Sequence, residues 1–84
     1  RTERTRFVSD LQGINYLRIV PSEANYLLCE VLPPHTPREL AIQLLKKYNI
    51  LIKDCTSKCH APYIRIAVRD TEDNNQLIAA LRTL

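Results

Sequence analysis

Apolar side chains return along this chain with two different periods, and the switches between them mark out its elements. Phe7, Leu11 and Ile14 recur at helical spacing with Val8 beside Phe7, and Gly13 follows as a residue suited to the left-handed turn that ends a helix. Tyr16 to Val20 is a β-rich run that stops at Pro21. Asn25 to Leu32 is a second such run, with Tyr26 and Leu28 on the face opposite Leu27, Cys29 and Val31. Pro33, Pro34 and Pro37 forbid regular structure and then start a helix, with Thr36 as cap and Pro37 at the first helical position, where no donor is needed. The spacing predicts that this helix runs to about Tyr48 with Leu40, Ala41, Leu44, Leu45 and Tyr48 inward, while Arg38, Glu39, Lys46 and Lys47 stay solvated. Asn49 suits the left-handed end position, and Ile50 to Asp54 then reads as a third short strand.

Cys55 to Pro62 reads as a loop. Tyr63 to Arg69 alternates cleanly, Ile64, Ile66 and Val68 facing one way and Tyr63, Arg65, Ala67 and Arg69 the other, which predicts a fourth strand. A last helix begins near Asp70 or Thr71, carries Glu72 and Asp73 in its first turn, and buries Leu77, Ile78, Leu81 and Leu84. Strands joined by short turns, with helices able to cover one side, predict an α+β fold: a largely antiparallel sheet of three to four strands with helices on one face.

Composition narrows the class. The 84 residues suit one domain with a modest core, and 45% apolar with 25% charged residues is the balance of an ordinary soluble chain. Longest apolar stretches such as Tyr26 to Cys29 fall far short of the roughly 20 residues a membrane helix requires, and no secretory pattern is visible, so a cytoplasmic setting is expected. The chain has no Met and opens on Arg1, and it reads as a fragment. A net charge of +3, with basic residues scattered apart from Arg1, Arg4 and Arg6, gives nucleic acid little support. Three cysteines, Cys29, Cys55 and Cys59, argue for reduced thiols rather than a disulfide framework. Cys55, Cys59 and His60 lie close together, yet no second ligand pair follows, and zinc is not expected. Cys29 is most simply a small buried apolar residue.

Candidate chemistry is sparse. His35 lies between prolines and His60 in a polar loop, neither with a carboxylate to orient it, so both read as surface histidines. One glycine excludes a glycine-rich phosphate loop in its usual form, and nothing marks Lys46, Lys47, Lys53 or Lys58 as a desolvated Schiff-base lysine. Arg65 is the informative residue. It sits mid-strand, on the face opposite Ile64, Ile66 and Val68. It is either a surface arginine on a one-sided sheet or, if that face meets a larger partner domain, a clamp gripping a carboxylate or phosphate through two parallel hydrogen bonds. Lys53, alternating with Leu51, can face the same way and add a second positive charge.

The order of segments adds to this. Pro21-Ser22-Glu23-Ala24-Asn25-Tyr26-Leu27-Leu28, Asn49-Ile50-Leu51-Ile52-Lys53-Asp54-Cys55, Tyr63-Ile64-Arg65-Ile66-Ala67-Val68-Arg69, Glu72-Asp73-Asn74 and Leu77-Ile78-Ala79-Ala80-Leu81 together resemble the end of histidinol-phosphate aminotransferases and the related threonine-phosphate decarboxylases. The resemblance covers nearly the whole chain. It implies the C-terminal small domain, residues 1–84, of a fold-type I pyridoxal-phosphate enzyme, normally a homodimer. In such an enzyme a large domain, not in this chain, carries the Schiff-base lysine and the cofactor site. It also implies a phosphorylated or carboxylated amine as substrate, Arg65 as the substrate-binding arginine, and no catalysis by this piece alone. Where relatives acting on phosphorylated substrates have a second arginine, this sequence has Lys53, which keeps the charge but loses the planar fork. Asn25 matches the family motif, with turn or strand-edge hydrogen bonding as its expected part. Threonine-phosphate decarboxylation is the alternative within the family. A free-standing ferredoxin-like ligand or RNA module is the alternative outside it, and the lack of basic residues interleaved with aromatics counts against RNA.

Overall fold

The structure is a computed structural model and describes residues 2–20 and 25–84. Its first helix, α1 (Glu3–Gln12), starts where Thr2 accepts a hydrogen bond from the Thr5 backbone N–H, and it buries Phe7 and Leu11. Gly13 closes it, but with φ −79° rather than in the left-handed region expected of it. The Gly13 N–H donates to the Asp10 carbonyl, and a Cβ at Gly13 would lie 3.3 Å from that oxygen. Close approach, not positive φ, is what glycine supplies here.

Strands β1 (Leu17–Val20) and β2 (Tyr26–Val31) pair antiparallel, each shorter than the run that predicts it. The predicted stop at Pro21 lies outside the described residues. Helix α2 (Pro37–Tyr48) has Thr36 as its cap, Pro37 at its first turn and Asn49 in the left-handed conformation at its end, all as the sequence implies. Its buried stripe is narrower than predicted: Pro37, Leu40 and Leu44 are inside, while Leu45 and Tyr48 are 47% and 40% exposed. Tyr48 instead lies across the last helix, its hydroxyl 2.6 Å from Thr83 Oγ1.

The third strand is also shorter than expected. The N–H groups of Asn49 and Ile50 are used in capping α2, donating to the carbonyls of Leu45 and Leu44, so the chain joins the sheet only at β3 (Lys53–Asp54). The predicted loop contains a single helical turn, α3 (Thr56–Cys59), which forms because the Asp54 carboxylate accepts hydrogen bonds from both the backbone and the hydroxyl of Thr56. Strand β4 (Tyr63–Ala67) and helix α4 (Thr71–Thr83, capped by Asp70) complete the fold.

The sheet order is β1-β2-β4-β3, with every pair antiparallel. The chain therefore crosses from β2 through α2 to an edge and then returns β4 into the gap, making β4 a central strand. Leu17, Leu27, Cys29, Val31, Ile64 and Ile66 form one buried face under the helices, with Phe7, Leu11, Leu44, Leu77, Ile78 and Leu81 above them. Leu84 is only partly buried. The result is an α+β fold with an open antiparallel sheet. No helix among the described residues is long and apolar enough to cross a membrane.

A polar knot ties the first helix to the last. Asn74, only 2% exposed, accepts from the Arg69 N–H, donates to the Arg69 carbonyl and donates to Glu3 Oε2 at 2.8 Å. Glu3 also pairs with Arg6 at 2.6 Å and accepts from the Thr71 hydroxyl. The bond to Arg6, followed by that to Asn74, holds the Glu3 carboxyl down from 4.5 to about 2. A carboxyl whose folded-state value is depressed stabilises the fold above its unfolded value and loses that contribution as the pH falls. Between pH 4.5 and 2 the chemical-denaturation midpoint is therefore expected to drop more steeply for the native chain than for Glu3→Gln. Asn74→Ala strands the Arg69 backbone groups and is expected to cost about 1–3 kcal/mol, readable in the same titration.

Candidate functional site

The alternation of β4 determines what its open face presents. Ile64 and Ile66 are buried at 0% and 2%, so Tyr63, Arg65 and Ala67 must point to the side the helices leave uncovered. Because β4 is central, Arg65 has a registered neighbour on each side: Leu28 on β2 and Lys53 on β3. The structure thus brings together both residues singled out in the sequence, on one exposed face. Two like charges directly opposite each other across a strand pair repel, and an anion bound between them relieves that repulsion.

A shallow depression of about 700 Å³ lies over this pair, lined by Asn25, Tyr26, Leu51, Ile52, Lys53, Asp54, Arg65 and Ala67. Within it the Arg65 guanidinium sits 5.1 Å from the centroid of the Tyr26 ring, inside cation–π range. The Asp54 carboxylate faces Thr56, whose two donors it accepts at 2.9 and 2.6 Å. Asn25 extends the pairing of the central strands by one backbone bond, its carbonyl accepting from the Val68 N–H at 2.9 Å. Among the described residues no ion pair engages Arg65 or Lys53. Three other arginines are held by carboxylates: Arg6 by Glu3 and Asp10, Arg18 by Glu30, and Arg69 by Asp73.

Other groups do not converge on this face. His35 is half-buried rather than a free surface group, its ring stacked on Tyr16 at 3.9 Å, and Tyr16 in turn donates its hydroxyl to the Leu81 carbonyl. Burial pushes the Tyr16 hydroxyl up to about 12. His60 is exposed at the end of α3 with φ 53°. Cys29 is fully buried, and burial pushes its thiol up to about 12, which makes it inert packing. No group of three metal-ligating side chains occurs among the described residues.

A pyridoxal phosphate requires a lysine in a shielded setting and a cradle for its phosphate. Lys46, Lys47, Lys53 and Lys58 are all exposed, and the N-termini of α2 and α4 are closed by Thr36 and Asp70. The described residues do not fit that cofactor. What they form is an exposed face on which Arg65 and Lys53 stand side by side. Tyr26 and Leu51 escape sequence reasoning as site residues. Alternation gives the face of Tyr26, but only the register of β2 and β4 puts it beside Arg65, and Leu51, which precedes β3, joins them only in the lining of the depression.

Known proteins resemble this chain in sequence and fold. Histidinol-phosphate aminotransferase 2 of Archaeoglobus fulgidus is 32% identical over 98% of this chain and 23% of its own. The threonine-phosphate decarboxylase of Salmonella typhimurium is 35% identical over 100% of this chain and 23% of its own. The solved structure of a decarboxylase from Sulfurospirillum multivorans superposes with a TM-score of 0.89 at 30% identity, covering 96% of this chain and 23% of that one. The chain spans between 10% and 23% of the length of the curated relatives it matches. The profile of the family described as aminotransferase class I and II matches residues 1–81, and the chain belongs to that family.

Proposed function

We propose that this chain is the substrate-anion-binding small domain of a pyridoxal-phosphate-dependent aminotransferase of the histidinol-phosphate type, inactive by itself. The single observation that carries this reading is the outward, mid-strand position of Arg65 on a central strand, with Lys53 registered beside it. A rigid strand fixes the root of the guanidinium, whose planar fork can give two parallel hydrogen bonds to a carboxylate or phosphate. Lys53 adds a second, more mobile point charge. Holding the anionic end of an amine in one place orients its reacting carbon, which is how a group remote from the chemistry raises the rate. The cofactor, the lysine that carries it and the electron sink it supplies belong to the remainder of the enzyme, with which this domain would close over the substrate. That enzyme is proposed to act in the cytoplasm, as a homodimer.

A second reading is threonine-phosphate decarboxylation. It is supported by the likeness to the Salmonella threonine-phosphate decarboxylase and to the Sulfurospirillum decarboxylase. Release of carbon dioxide from threonine phosphate separates it from amino transfer to an oxo acid.

In the full-length enzyme, Arg65→Ala is expected to lower kcat/KM by about a hundredfold, the worth of a charge-assisted bidentate contact, while the absorbance of the bound cofactor stays unchanged. Wild-type kinetics in that variant would remove Arg65 from the site. Lys53→Gln is expected to raise KM for a phosphorylated substrate several-fold at low salt, with the difference shrinking as ionic strength rises. A salt-independent change would point instead to altered folding of the β3 edge.

A further inference from the structure

An arginine that binds substrate has to satisfy two opposed requirements: its side chain must be held in place, and its charge must stay unneutralised. Arg6, Arg18 and Arg69 meet only the first, since carboxylates fix them at 2.6, 2.6 and 2.9 Å and take up their charge. Arg65 has a different kind of contact. Its guanidinium lies 5.1 Å from the centroid of the Tyr26 ring, and an aromatic face attracts a cation through its quadrupole without supplying a carboxylate oxygen to compete with a ligand.

The strand register explains how the ring reaches it. Tyr26 stands opposite Ala67, and Arg65 is two residues back along β4, so the two are diagonal neighbours on the open face. The Ala67 methyl leaves the ring room to lean toward Arg65. Lys53 flanks Arg65 from the opposite strand and repels it, so ring and lysine together bias the guanidinium toward β2. Tyr26 is 38% exposed, at the rim of the depression, where a ring of its size shields the cation from water on one side.

From this arrangement we infer that Tyr26 is the positioning residue of the anion site, holding the Arg65 guanidinium by its ring face so that the full charge and the hydrogen-bonding fork remain available to the ligand. The inference rests on the reading of Arg65 as the anion-binding group. It requires the ring and not the hydroxyl.

The test is a calorimetric titration of the full-length, cofactor-loaded protein with two simple probes, inorganic phosphate and succinate, comparing wild type with Arg65→Ala, Tyr26→Phe, Tyr26→Leu and Tyr26→Thr. Tyr26→Leu is expected to weaken the Arg65-dependent binding about three- to tenfold, the range of a partly exposed cation–π contact, and Tyr26→Phe to stay within about twofold of wild type. Tyr26→Thr, a strand-compatible residue without a ring, is expected to match Tyr26→Leu and gives the answer if the leucine variant does not fold. Wild-type affinity in both ringless variants, alongside a loss in Arg65→Ala, overturns the role of Tyr26 and leaves Arg65 in place. An equal loss in Tyr26→Phe and Tyr26→Leu also overturns it, because the ring would then not be the cause. Binding of both probes that is indifferent to Arg65→Ala removes the anion site itself, and the positioning role falls with it.

Discussion

Every feature of the open face depends on the burial of two isoleucines. Ile64 and Ile66 have almost no exposed surface, and burying each is worth about 1.5–3 kcal/mol. A slip of one residue in the register of β4 would turn both toward water and drive Arg65 under the helices as an unpaired charge, at a cost of several kcal/mol more. The two penalties act in the same direction. They fix the side on which Arg65 emerges far more firmly than any contact the guanidinium makes for itself.

The topology adds what alternation cannot. Inserting β4 between β2 and β3 surrounds Arg65 with backbone on both sides, and it decides that Lys53 and Leu28, rather than solvent, are its lateral neighbours. The helical layer on the other face is held as one unit by different means: apolar packing along α1, α2 and α4, and the Glu3–Asn74 bond that links elements 71 residues apart. One face of the molecule is therefore rigid and closed. The other is shallow and open, its Arg65 and Lys53 set among exposed apolar side chains such as Tyr26 and Leu51.

Membership of the aminotransferase class I and II family, together with a span of 10% to 23% of the curated relatives, fits that division. The described residues set two cationic side chains side by side on the open face and form no cradle that fits a pyridoxal phosphate. Binding and orientation are all that the proposed role asks of that face.

The alternating pattern of Tyr63 to Ala67, a strand two residues shorter than predicted, and the caps at Thr36, Pro37, Asn49 and Asp70 were legible in the sequence because each is a local matter of side-chain periodicity or backbone conformation. The same local logic overestimated the third strand and the inner face of α2, and assigned Gly13 a positive φ that it does not adopt. Those outcomes hinge on where backbone donors go and which helix a flank meets. Asn74 gave no signal either, since a polar residue in a helix reads as solvated until a distant carboxylate is found beside it. The sequence by itself determined which face each residue of the two central strands takes, because alternation is a property of one strand. Only the tertiary structure decided that Tyr26, Lys53 and Arg65 meet, because neighbours across strands are set by the pairing of segments far apart in the chain.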